Sequence, residues 1–214
     1  MLDAKSVLET FGVIGLFAII FAETGLLIGF FLPGDSLLVL AGLVAAVGKD
    51  SNLNVEVNLV VVLIGVFVAA TIGAQVGYLI GRTAGPALFR KPDSRLFKRE
   101  YVEKAQHYFD KYGAKTVVLA RFIPIVRTFA NPMAGVARMP ARSFAIFNVI
   151  GAALWAVGVT LFGFGLGKWI PGAEDHLLLI EGGIIALSLL PIGFEVIRAR
   201  RERREGNETA RVSS

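Results

Sequence analysis

The chain has 214 residues, 55% of them hydrophobic and only 18% charged, which excludes an ordinary soluble domain and points to a polytopic membrane protein. It holds no cysteine, so disulfides, thiolate catalysis and cysteine metal sites are excluded. The formal net charge of +5 does not indicate nucleic acid, because the basic residues flank apolar segments in the pattern of positive-inside topology.

The N-terminal MLDAKSVLET lacks the basic region and small-residue cleavage site of a signal peptide, so no cleaved leader is expected. Residues 11–22 form an uncharged run too short to cross about 30 Å of hydrocarbon as a helix. Glu23 follows, then 24–32, then Pro33-Gly34-Asp35, then a second uncharged run over 36–48. This pattern predicts two half-length helices entering and leaving by one side, a re-entrant hairpin over 14–48. The stretch 49–58 is a polar loop, and 57–81 carries no charge and is predicted to span the membrane.

Residues 82–115 hold nine Lys/Arg and four acids. Within them Phe97, Tyr101, Ala105, Tyr108 and Tyr112 recur at helical spacing, which predicts an amphipathic helix over 94–112 on the cytoplasmic surface. A solvated helix packed on the domain fits the same pattern. The next stretch, 117–135, is VVLARFIPIVRTFANPMAG, an apolar run carrying Arg121, Arg127, Pro124 and Pro132. An arginine near the bilayer centre costs roughly 3 kcal/mol or more. Proline removes an amide donor and frees a carbonyl, so the helix is expected to break. Broken helices at membrane depth are tolerated where they line a polar cavity. A second re-entrant hairpin is therefore predicted over 116–138. Arg138 and Arg142 precede a charge-free span over 143–167; a short loop and a last span over 177–197, containing Glu181, follow. The tail, 198–214, holds six arginines. Residues 1–197 read as a single membrane domain and 198–214 as a basic cytoplasmic tail.

Charge parity favours the re-entrant reading of 116–138. If that segment crossed fully, Arg138, Arg142 and the arginine-rich tail would lie outside. If it returns to its starting side, the basic loop, the Arg138/Arg142 turn and the tail all lie inside. A weak internal repeat agrees. Phe31-Leu32-Pro33 matches Phe122-Ile123-Pro124, Ala41-Gly42-Leu43-Val44-Ala45 echoes Ala134-Gly135-Val136-Ala137, and GYLIGR from Gly77 matches GFGLGK from Gly163. One hairpin plus one span per half gives opposite orientations, the inverted-repeat plan of secondary transporters. The expected fold is an all-α polytopic membrane protein with two inverted re-entrant hairpins, about three full spans and an amphipathic surface helix.

The first hairpin carries Glu23 and Asp35 and the second Arg121 and Arg127. If the hairpin tips meet, four charged groups share one site. The guanidinium fork suits bidentate phosphate or carboxylate. Desolvation favours the protonated form of a carboxylate and a nearby cation the ionised form, so such acids suit proton exchange. Two buried ion pairs holding the hairpins together is the structural alternative, and a poor source of stability. Gly34 and Gly135 suit close backbone approach or tight packing. Asn131 suits a ligand hydrogen bond or the cap of a half-helix. Gly73, Gly77 and Gly81 form a helix-packing face. Trp155 reads as a packing residue and Trp169 as an interface anchor. Neither His107 nor His176 has metal-ligand partners, so no metal and no cofactor is expected.

FAETGLLIGFFLPGDSLL over 21–38, GYLIGR, ARFIPIVRTF over 120–129 and the later MAGVARM resemble the DedA family, bacterial inner-membrane proteins sharing the SNARE-associated or VTT domain. The resemblance covers nearly the whole chain. It implies two opposed re-entrant hairpins, kinship with eukaryotic lipid scramblases, and a role in returning undecaprenyl phosphate across the cytoplasmic membrane; other members are linked to proton-motive force, cationic-peptide resistance and alkaline tolerance. The family's essential acids correspond to Glu23 and Asp35, and its essential arginines to Arg121 and Arg127. One departure is Asn131, which stands before Pro132 where relatives carry proline directly after TFA.

The resulting expectation is a polyprenyl-phosphate flippase, not an enzyme. Arg121 and Arg127 would bind the phosphate and Glu23 and Asp35 would couple protons or balance charge. Pro33, Gly34, Pro124, Thr128, Asn131 and Gly135 would support the site. Partners would be the membrane lipid and protons, without nucleic acid, and homo-oligomerisation is left open. The protein is expected in the bacterial cytoplasmic membrane, multi-pass, with its C-terminus cytoplasmic. The alternatives are a proton-coupled antiporter for small cations or drugs and a non-transporting membrane-protein assembly factor.

Overall fold

A computed structural model describes residues 4–26, 34–48, 57–88, 109 and 112–169. Every regular element among the described residues is helical: α1 (Ala4–Gly25), α2 (Gly34–Val47), α3 (Leu59–Leu88), α4 (Lys115–Ala120), α5 (Pro124–Val136), α6 (Ala141–Ala152), a π-helical turn (Ala153–Val157) and α7 (Gly158–Trp169). The described residues belong to one compact unit, Met1–Asp175. The expected last span over 177–197 and the basic tail lie outside the described residues. So do Pro33 and nearly all of the expected amphipathic helix over 94–112.

Among the described residues two stretches are long and apolar enough to cross a membrane, Leu59–Gly85 with 27 residues and Ala141–Trp169 with 29. At 1.5 Å per residue each reaches about 40 Å, more than the roughly 30 Å of hydrocarbon. Their outer faces carry large apolar side chains open to the surroundings, among them Ile64, Ile72, Ile150 and Leu154. A soluble protein does not expose apolar surface so continuously; lipid is the solvent these faces fit.

The other apolar helices are short. Gly12 breaks α1 with φ 58°, a left-handed conformation that glycine adopts without a steric penalty, and it lies near the start of the short apolar piece of 15 residues, Phe11–Gly25. That piece and the 14 residues of α2 each extend only about 20 Å, short of the hydrocarbon thickness. The first span starts where Asn58 caps it, its Oδ1 accepting the Val60 and Val61 amides at 2.9 and 3.3 Å. It also runs past the expected end at 81. Arg82 does not stop the helix, because its guanidinium folds back to donate to the Tyr78 hydroxyl at 2.5 Å.

The segment over 115–136 breaks at one of its two prolines. Ile123 is extended, φ −112° and ψ 107°, as steric conflict with a following proline demands, and Pro124 opens α5 where a missing amide costs nothing. Pro132 stays inside α5 without ending it. The helix closes on Arg138, which takes φ 54° while the Met139 amide reaches back to the Ala134 carbonyl at 3.0 Å.

α2 packs chiefly on α7 and α5 chiefly on α3, while α1 also lies along α3. Glycines set both crossings. A Cβ on Gly42 would meet the Thr160 carbonyl and one on Gly163 the Val39 carbonyl. A Cβ on Gly135 would meet the Tyr78 carbonyl and one on Gly81 the Pro132 carbonyl. In both pairs each glycine faces the carbonyl three residues before its partner, so the two crossings are geometric copies. This pairs Gly42 with Gly135 as the sequence repeat does. It pairs Gly163 with Gly81, however, one helical turn beyond the sequence match to Gly77. Gly77 instead faces the Gly25 carbonyl of α1, with Asn131 of α5 a little farther off.

A small core lies beside the second crossing. Tyr78 stacks on Phe144 with ring centroids 4.4 Å apart, and its hydroxyl donates to the Met139 carbonyl at 2.6 Å. Val117 and Ala134 complete it.

Candidate functional site

Three short runs of backbone bring the charged side chains inside. Glu23 sits two residues before the end of α1, Asp35 is the second residue of α2, and Arg127 lies in the first turn of α5. Each therefore stands at a helix terminus. Arg121 occupies the turn between α4 and α5 that the 123–124 break creates. Glu23, Arg121 and Arg127 are at most 4% exposed.

Arg127 joins the two acids. Its Nη1 donates to Asp35 Oδ1 at 2.7 Å and its Nη2 donates to Glu23 Oε1. Both are ion pairs, and only the Asp35 side chain retains some exposure, 26%. Gly34 makes this packing feasible: a Cβ there would fall on the Glu23 carboxylate, so only glycine lets the start of α2 approach it. The positive end of a helix also suits an anion.

Arg121 is arranged differently. Its Nη2 donates to Asn148 Oδ1 at 2.5 Å and to the Ala70 carbonyl at 3.4 Å, and Asn148 passes the connection on to the Thr71 carbonyl at 2.9 Å. No carboxylate pairs with it among the described residues. Arg121 Nε and Nη1, Arg127 Nε, Glu23 Oε2 and the Thr71 hydroxyl are buried without a hydrogen-bond partner in the protein. Unengaged buried donors on a charged group are costly and are found chiefly where function requires them.

Trp155 connects the two arginines. Its ring lies under the Arg127 guanidinium at 4.5 Å and the Arg121 guanidinium at 6.0 Å from the centroid, and its indole N–H donates to Asp35 Oδ1 at 2.9 Å.

The structure thus gathers Glu23, Asp35 and Arg127 in direct contact and sets Arg121 beside them. Asn131, 2% exposed, donates from Nδ2 to the Thr24 carbonyl at 2.9 Å. It sits inside α5, so it satisfies the end of α1 and does not cap a half-helix of its own. Gly135 is a close-approach glycine at the α3 crossing, and Pro124 sets the α5 start. Pro33 and the Thr128 side chain lie outside the described residues. Sequence reading missed Trp155, taken there for packing, and Asn148. The signal for Asn148 was present: an amide in an otherwise apolar span is expensive unless it is bonded.

Buried, paired charges inside a lipid-facing helical bundle define a membrane protein with an intramembrane polar site. The VTT domain family model matches residues 32–165, and the chain belongs to this family, the DedA family. It is 47% identical to the protein DedA of Escherichia coli over 87% of this chain and 82% of that one. It is 40% identical to an uncharacterised membrane protein of Mycobacterium tuberculosis, over 91% and 83% of the two chains. It is 32% identical to the inner membrane protein YghB of Escherichia coli, over 86% and 84%. No solved structure matches the chain.

Proposed function

We propose that this protein carries a polyprenyl phosphate, undecaprenyl phosphate in bacteria, across the cytoplasmic membrane, with protons as the coupling ion. The observation that carries the reading is the buried cluster in which Arg127 is held by two carboxylates while Arg121, with no acid partner among the described residues, keeps two unengaged donors. A phosphate headgroup is the ligand for which a second, uncommitted guanidinium is suited.

The arrangement suggests an order of events. A phosphate meets Arg121 first. Protonation of Glu23 and Asp35 weakens their hold on Arg127 and frees its fork for the same phosphate. Proton release on the other side restores the ion pairs and expels the headgroup, while the lipid tail stays in the bilayer. In this reading the 14–48 and 116–138 segments are re-entrant, the chain is multi-pass with a cytoplasmic C-terminus, and the protein transports without catalysing a covalent step.

The test is translocation of undecaprenyl phosphate by purified protein in vesicles, with and without a pH gradient. Wild type should move the lipid faster with the gradient, and Arg121→Ala should lose movement while remaining folded. Movement unaffected by Arg121→Ala would refute the assignment. A second reading, a proton-coupled antiporter of small cations, draws on the observation that both acids converge on one arginine. It predicts substrate-dependent proton flux in vesicles that lack the lipid phosphate.

A further inference from the structure

Trp155 stands on a π-helical turn, the only one among the described residues, in a span whose sequence reads as plain apolar helix. Single π turns inside α-helices are frequent at functional sites. The side chain is 2% exposed, and its contacts exceed what packing alone requires. The indole has one donor, and it is spent on Asp35 Oδ1, the oxygen that also accepts from Arg127. The ring face meanwhile serves the guanidinium groups of both Arg127 and Arg121. Asp35 has the most exposed side chain of the ion-paired groups, so it is the one whose orientation burial fixes least.

We propose that Trp155 is the positioning residue of the charge cluster: its N–H fixes the Asp35 carboxylate toward Arg127, its ring face holds both guanidinium groups, and the π turn aims the ring. This rests on the reading of the cluster as the transport site. It goes beyond that reading by assigning to an uncharged aromatic residue the link between the second span and the ion pairs. A tryptophan there for volume alone would use neither its N–H nor its face.

Two measurements test it. The chain has two tryptophans, so Trp169→Phe leaves Trp155 as the sole reporter. In that background Asp35→Asn keeps an acceptor oxygen and should move the emission maximum less than Asp35→Leu, which removes it. An unmoved spectrum in folded Asp35→Leu overturns the proposal. In the vesicle assay, Trp155→Phe keeps a ring and loses the N–H. It should lower the maximal rate on the order of tenfold with little change in apparent KM, while Trp155→Leu should also raise apparent KM. Wild-type transport matched by Trp155→Phe overturns the proposal. Absence of lipid-phosphate movement by wild type defeats the transport reading instead, and the emission comparison still decides the role of Trp155.

Discussion

Replacing Arg127 with methionine removes the cation from two carboxylates at once. Glu23 is 1% exposed, one of its oxygens already lacks a partner, and Asp35, the other acid paired with Arg127, carries the same charge. Breaking a buried pair by deleting one partner costs about 3–5 kcal/mol, because the other charge stays uncompensated. For a chain of this size that corresponds to a fall in melting temperature of roughly 6–20 °C. The assay is thermal unfolding of purified protein in detergent or nanodiscs, run as a double-mutant cycle with Glu23→Gln. The amide removes the orphaned charge, so Glu23→Gln in the Arg127→Met chain should recover most of the loss, with a coupling of about 2 kcal/mol or more. Asp35→Asn should recover less, since part of that side chain reaches the surroundings. Strictly additive single effects, or an unchanged melting temperature in Arg127→Met, would refute the view that Arg127 holds the two helix ends together. The prediction also bears on functional tests. Loss of transport in an Arg127 variant mixes folding with mechanism, whereas Arg121 has no acid to orphan among the described residues.

At the two glycine crossings, Gly42→Ala and Gly135→Ala should each destabilise by about 1–3 kcal/mol and by similar amounts, because each new Cβ meets a facing carbonyl; unequal melting temperatures would break the equivalence of the crossings. Asn131→Leu should cost about 1–3 kcal/mol in the same measurement by leaving the Thr24 carbonyl unpaired. Arg121→Lys keeps the charge but not the fork or the Asn148 bond, so lipid-phosphate transport should fall on the order of tenfold or more with folding intact. Arg138→Gly should raise stability by about 0.5–1 kcal/mol, since glycine takes the positive φ at the end of α5 without strain.

Much of the framework is legible in the sequence because its signals are local. Charge-free runs mark the two long helices, and Pro124 dictates an extended residue before it and a helix after it. The acids and arginines betray themselves because charge in an apolar run has no cheap explanation. What is not legible depends on distance in the chain. Both arginines look alike on paper, yet among the described residues only Arg127 meets carboxylates, and that follows from where α1, α2 and α5 end relative to one another. Trp155 reads as a packing residue in sequence because any apolar span tolerates a tryptophan; the π turn that carries it is announced by no residue pattern. The register of the repeat misleads by one turn for a similar reason. Three glycines at four-residue spacing offer equivalent faces, and their spacing does not say that Gly73 meets α1, Gly77 both α1 and α5, and Gly81 α5.

Six polar contacts of the site have one property in common. Arg127 to Glu23 and to Asp35, Trp155 to Asp35, Asn131 to Thr24, Asn148 to Thr71 and Arg121 to Ala70 each join a residue before 89 to one after 114. Both glycine crossings do the same, α2 lying on α7 and α5 on α3. Neither half of the chain therefore encloses its own core, and a motion that pulled the halves apart would break every one of these contacts. A motion that keeps α2 with α7, and α1 and α5 with α3, preserves both crossings together with the Arg127–Glu23 and Asn131–Thr24 bonds. It strains chiefly the bond from Arg127 to Asp35, the bonds of Asn148 to Arg121 and Thr71, and the ring contacts of Trp155 with the arginines. Those include contacts to Asp35, which retains exposure, and to Arg121, whose donors are not all engaged. The seam of such a motion passes through the charged site, as the proposed transport reading requires.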